Sequence, residues 1–141
     1  AEYQQQAADC PNVLFPGWVD AAAIRALMDR SLAGLAPYHC ERSFTMSLPN
    51  KAIEYLAGGL PLVSCLSGEL AQLLERERCG LTYREGDSAG LADAIGTLLA
   101  DSEQRRAMSD NAGLAFKTHF MAERVYGRMI DYLAEVSTGA S

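Results

Sequence analysis

Two polar corners of this chain carry residues whose types and spacing could do chemistry. The first runs from Ser43 to Glu54, and the second is Ser64-Cys65-Leu66-Ser67-Gly68-Glu69. Each leads from a polar stretch into a segment of helical periodicity. Free backbone N–H groups and the positive end of a helix would then face outward, which suits an anion such as a diphosphate. Ser47, Leu48, Asn50 and Lys51 stand at the first helix entrance. Lys51 is placed to meet phosphate oxygens, or simply to pair with Glu54 or Glu41. Glu54 lies one turn further on, beside apolar Ile53, Leu56 and Ala57, where a carboxylate can accept two hydroxyl hydrogen bonds from a ribose. Residue type alone favours an ordinary solvated glutamate there.

At the second corner, Glu69 follows Ser67 and Gly68 and either binds a hydroxyl or complements the helix dipole, the dipole role being the simpler. Tyr38, after Pro37 at a strand end, is placed to touch a ligand, although aromatic side chains more often pack. His39 and Cys40 are adjacent in a loop, but spacing gives them no acid or base partner, so a solvated or satisfied His39 is the default. A P-loop lysine motif, a G-x-G-x-x-G after a strand and a serine-centred elbow are all missing from the sequence. Neither a metal site nor a catalytic residue is assigned.

The elements that must position these corners follow from apolar spacing. Asn12 to Phe15, closed by Pro16-Gly17, is expected to be a buried strand, and Asp20 an N-cap for a helix whose Ala21, Ile24, Leu27 and Met28 share one face. Leu32 to Ala36 gives a second strand, completing a parallel βαβ unit. Tyr38 to Leu48 has no period and is expected to be a loop. Pro49 suits the first turn of a helix to about Ala57, ended by Gly58-Gly59. Leu60 to Leu66 predicts a third strand, Ser67-Gly68-Glu69 a helix to about Arg76, and Gly80 to Tyr83 a short further strand. Gly86-Asp87-Ser88 caps a helix through Leu99. Asp101-Ser102-Glu103 begins the last helices, over about 101–136, and Ser137 to Ser141 forms a frayed tail.

Strand–helix alternation with a helical tail predicts an α/β class, a Rossmann-like parallel sheet flanked by helices in one domain over 1–141. Ala1 to Asp9 has the character of a helix end, and three or four strands make a thin sheet. Together these suggest a piece of a longer protein, truncated on its N-terminal side.

The chain has 141 residues, 49% apolar and 21% charged, as a folded domain requires. A net charge of −6 argues against nucleic acid as a partner, because phosphate contacts need a basic face. It does not exclude a small anion held locally. Cys10, Cys40, Cys65 and Cys79 are far apart, without a C-x-x-C pair. A reduced, cytoplasmic chain is the simplest expectation, with peripheral membrane association of a longer parent protein as a further option. No segment qualifies as a signal peptide or membrane span.

The order of pieces also resembles a known family. Asn12-Val13-Leu14-Phe15-Pro16-Gly17-Trp18-Val19, then Leu35-Ala36-Pro37-Tyr38, then Ser47 through Val63, then Gly68-Glu69, Cys79-Gly80-Leu81 and Gly86-Asp87 closely resemble the C-terminal domain of GT-B fold glycosyltransferases of the group 1 (family 4) type. Pro49 to Pro61 is the most specific stretch. The resemblance implies transfer of a glycosyl group from a nucleotide diphosphate sugar, UDP- or GDP-linked, to an acceptor hydroxyl, with retention and without a required metal or cofactor. It implies that Glu54 matches the second glutamate of an E-x7-E motif and holds the ribose. Backbone N–H groups around Ser47 and Leu48 would face the diphosphate, and Ser67 to Glu69 would line the donor pocket.

The first glutamate of that motif falls on Met46, which cannot accept a hydrogen bond from a sugar hydroxyl as a carboxylate does. Members with a proline-asparagine-lysine entrance often lack it. An N-terminal GT-B half would supply most of the acceptor site and the upstream basic residues. This chain alone is therefore expected to be inactive, and its uncovered face open to self-association. Two other functions stand beside this one: a non-catalytic Rossmann-like module binding a nucleotide or a protein, and a GT-B sugar-nucleotide epimerase.

Overall fold

The computed structural model of the chain describes residues 2–139. Its elements are α1 (Glu2–Gln6), α2 (Ala21–Met28), β1 (Gly34–Ala36), α3 (Arg42–Thr45), α4 (Asn50–Ala57), β2 (Leu62–Ser64), α5 (Glu69–Glu77), β3 (Gly80–Thr82), α6 (Ser88–Ala100), α7 (Ser102–His119) and α8 (Ala122–Ser137). The sheet has order β1-β2-β3 and both pairings are parallel, with Leu35 opposite Val63 and Val63 opposite Leu81. The expected α/β class and parallel sheet are observed. Among the described residues no helix is long and apolar enough to cross a membrane.

Local chemistry starts the helices. The Asp20, Asp87 and Asp101 carboxylates accept backbone N–H bonds from Ala23, Gly90 and Gln104 at 2.8, 2.9 and 2.8 Å, each satisfying an otherwise orphaned donor. Caps of this kind stabilise by about 1 kcal/mol each. Pro49 stands one residue earlier than expected, as the N-cap of α4.

Packing then assembles two layers on the sheet. Leu62 of β2 joins Ala36, Ala52, Leu56, Leu66, Leu70, Leu73, Leu74 and Ala112 on the face covered by α4, α5 and α7. Val63 points the other way, to Ala94 and Leu98 of α6 and to Met108. β2 is buried throughout because it is the central strand with both faces covered. Gly34 is small for a reason: a Cβ there would overlap the Tyr55 ring.

Three expectations are corrected. Asn12 to Phe15 is not a strand. Val13 N–H bonds only back to the Cys10 carbonyl, and Leu14 is 86% exposed. A strand exists only by pairing, and among the described residues β1 and β3 pair only with β2, so no strand edge is bonded to this segment. The first βαβ unit is therefore β1–α4–β2. The loop expected over Tyr38 to Leu48 contains a turn of helix, α3, packed through Phe44. The tail is helical through Ser137, while residues 140 and 141 lie outside the described residues.

Leu56 is completely buried at the centre of the larger cluster. Leu56→Ala is expected to lower stability by about 2–5 kcal/mol, measured as the shift in a urea unfolding midpoint.

Candidate functional site

The carboxyl ends of all three strands open on one side, and the two polar corners meet there. Their junction is Gly68, whose φ of +78° lies where side chains are rarely tolerated. A Cβ on Gly68 would also overlap the Thr45 carbonyl oxygen at the end of α3. Only glycine lets the start of α5 sit against the loop that leads into α4.

Around that contact the backbone offers donors. Within the described residues, Ser47 and Leu48 N–H have no intrachain acceptor, and α4 and α5 begin without side-chain caps. Among the described residues the Asn50 and Lys51 N–H groups of α4, and those of Glu69, Leu70 and Ala71 in α5, have no acceptor, whereas the Ala52 N–H already bonds the Pro49 carbonyl at 2.9 Å. Ser47 Oγ is turned back along the chain, donating to the Ser43 carbonyl at 2.7 Å at the surface. Asn50 and Ser67 are exposed, and Leu48 packs on the core.

Lys51 pairs with neither Glu54 nor Glu41. Its ammonium stands 5.8 Å over the Tyr38 ring, which stacks on Phe44 at 5.1 Å. Tyr38 therefore ties the end of β1 to the start of α4 and leaves the Lys51 charge at the surface. Glu54 is exposed, with no hydrogen bond or ion pair among the described residues, and faces a shallow groove lined by Ala21, Ile24, Arg25 and Met28 of α2. It is separated from Glu69, which lines a different recess with Leu48, Arg76, His119 and Arg128. Two of the residues that line this recess, Arg76 and His119, are held by Glu77, which accepts from Arg76 and pairs with His119 Nε2, both at 2.9 Å. The Arg76 and His119 bonds hold the Glu77 carboxyl below its usual range.

Sequence spacing missed Glu85. This residue, just past β3, bonds His39 Nδ1 at 2.8 Å through one carboxylate oxygen and the Cys40 N–H at 3.0 Å through the other. His39 and the Cys40 N–H draw the Glu85 carboxyl below its ordinary value of 4.5. The available signal was positional: a charged residue in the loop that leaves the carboxyl end of a parallel strand stands where such sheets bind ligands. Beneath it, Cys40 Sγ donates to the Cys65 carbonyl at 3.0 Å and Cys65 Sγ to the Tyr38 carbonyl at 2.9 Å. Burial and the Cys65 thiol push the Tyr83 phenol up to about 12, so it stays protonated. All four cysteines are free thiols.

Two measurements follow. Gly68→Ala is expected to cost about 1–3 kcal/mol in thermal unfolding, while Ser67→Ala, at the exposed neighbour, stays within about 0.5 kcal/mol. In an NMR titration the Glu85 carboxyl should have its midpoint below 4.5, and in His39→Ala that midpoint should move back towards 4.5. The sign follows from linkage: a depressed carboxyl stabilises above its unfolded pKa, and the contribution fades as pH falls through the folded one. An unchanged midpoint in His39→Ala would show that the imidazole is not the cause.

The family model described as Glycosyl transferases group 1 matches residues 1–101. Two curated relatives, glycogen synthases of Mycobacterium tuberculosis strains CDC 1551 / Oshkosh and ATCC 25618 / H37Rv, are each 34% identical over 95 residues. Those residues are 66% of this chain and 22% of each relative, so the matched region spans only about a fifth of their length. Among solved structures, sucrose-phosphate synthase from Thermosynechococcus elongatus matches with a TM-score of 0.79 and 23% identity, covering 99% of this chain and 34% of that one. The parallel sheet flanked by helices is thus the fold of a GT-B glycosyltransferase domain. With the family model extending from residue 1 through the corners at Ser47 and Gly68 to residue 101, the chain belongs to the group 1 glycosyltransferases.

Proposed function

We propose that this domain binds the nucleotide diphosphate sugar donor of a glycosyl transfer to an acceptor hydroxyl. The observation that carries this is the junction at Gly68, where the uncapped starts of α4 and α5 are brought to the carboxyl ends of parallel strands. Two helix N-termini and the Lys51 charge are arranged for a group whose negative charge grows as the glycosyl bond breaks. Glu54, without a hydrogen-bond or ion-pair partner among the described residues and in a groove along α2, takes the ribose hydroxyls. The sugar-side residues are then those of the Ser67 to Glu69 turn. Transfer proceeds with retention, from a UDP- or GDP-sugar, and needs no resident metal. The acceptor is brought by a further N-terminal half, without which this chain binds donor but does not turn it over.

The test is calorimetric titration of UDP and GDP into the chain and into Glu54→Ala. Loss of a charge-assisted hydroxyl contact should weaken binding about tenfold or more. A chain that binds neither diphosphate at millimolar concentration, or a variant that binds as well as the parent, would count against the assignment.

A further inference from the structure

His39 and Glu85 are polar groups past the carboxyl ends of β1 and β3 that the proposed function leaves unused. His39 follows Tyr38, and the Tyr38 ring lies beneath the Lys51 ammonium at the start of α4. The next residue, Cys40, touches the Cys65 carbonyl at the turn into α5. The short segment 38–40 therefore lies between the two helix starts, and the Glu85 carboxylate ties it to the end of β3. The His39 side chain is nonetheless 87% exposed, so the ring is oriented without being covered.

The orientation fixes its chemistry. Glu85 is an ionised carboxylate, drawn below its ordinary value by these same bonds, so it can only accept; Nδ1 of His39 must carry the proton it receives. In the neutral ring Nε2 is then a lone-pair acceptor, and the bond to the carboxylate behind it fixes the direction in which that lone pair points. An acceptor is also what position 46 lacks. Met46 offers only a thioether, and Arg42 Nε already leans on it at 3.4 Å.

Building on the donor-site function, we propose that His39, held by Glu85, accepts a hydrogen bond from a hydroxyl of the donor's glycosyl ring in place of a carboxylate at position 46. His39 is a specificity-determining residue that distinguishes a nucleotide sugar from the bare nucleoside diphosphate. Glu85 is its positioning residue.

The experiment is competitive calorimetry on the full chain with UDP, GDP and ADP against UDP-glucose, GDP-mannose and ADP-glucose. The parent should bind one sugar nucleotide more tightly than its own diphosphate. His39→Ala should reduce that preference about three- to tenfold while leaving the diphosphate affinity unchanged. Glu85→Gln should reduce it less, since the amide keeps the Cys40 N–H bond but no longer selects the tautomer. Glu54→Ala should weaken both ligands of the pair alike. If the parent binds none of the six, the donor-site function itself falls and this assignment with it. If the parent binds but shows no sugar preference, or His39→Ala keeps it, only the role of His39 is overturned.

Discussion

Everything at the open side of the sheet depends on how one buried hydroxyl is satisfied. Ser64, fully buried at the end of β2, donates to the Ala36 carbonyl at 2.9 Å and accepts the Leu66 N–H at 3.2 Å. A polar group so placed costs a few kcal/mol if left unpaired, so both partners are held where it needs them. Ala36 is the last residue of β1, and Leu66 lies on the turn towards α5. One side chain therefore fixes where two strands release their loops. Cys65 repeats the device a residue later by bonding the Tyr38 carbonyl. The exits of β1 and β2 are locked together before any exposed residue contributes.

From that lock the rest follows in layers. The β1 exit carries Tyr38, which brings Lys51 and α4 with it, and the β2 exit leads to Gly68 and α5. The core beneath supplies the stability and the loops supply the chemistry, as expected when polar backbone must stay at the surface. The acidic balance of the whole chain is no obstacle, because N–H donors and an ammonium stand at the opening beside the Glu69 and Glu85 carboxylates, and the field at that point is local.

Much of this was legible in sequence wherever the cause was local. Pro49 and Gly58-Gly59 mark the ends of α4, and three aspartates announce three helices, because a cap acts within one turn of itself. The glutamate at 54 and the two polar corners were likewise visible, and the structure joins those corners. What was not visible needed distant partners. Asn12 to Phe15 has the composition of a strand, yet composition supplies no neighbour to pair with. Lys51 was offered two carboxylates nearby in sequence and chose the ring of Tyr38. His39 was left without an acid because Glu85 lies 46 residues away, a distance only the fold closes.

The last helix stands outside this hierarchy. α8 has sixteen residues and none of them is buried; Tyr126, Ile130 and Tyr132 are each more than half exposed. A helix of that length is marginal in water when so little packs on it, and here the hold is contact with α7 and the Arg128 bond to the His119 carbonyl at 2.9 Å. It therefore adds ellipticity while adding little to the cooperative unit, and heating would unwind it ahead of the sheet and its covering helices. Loss of far-ultraviolet signal and loss of the core are then two different events, and a midpoint taken from helical content alone would understate how firmly the sheet is held.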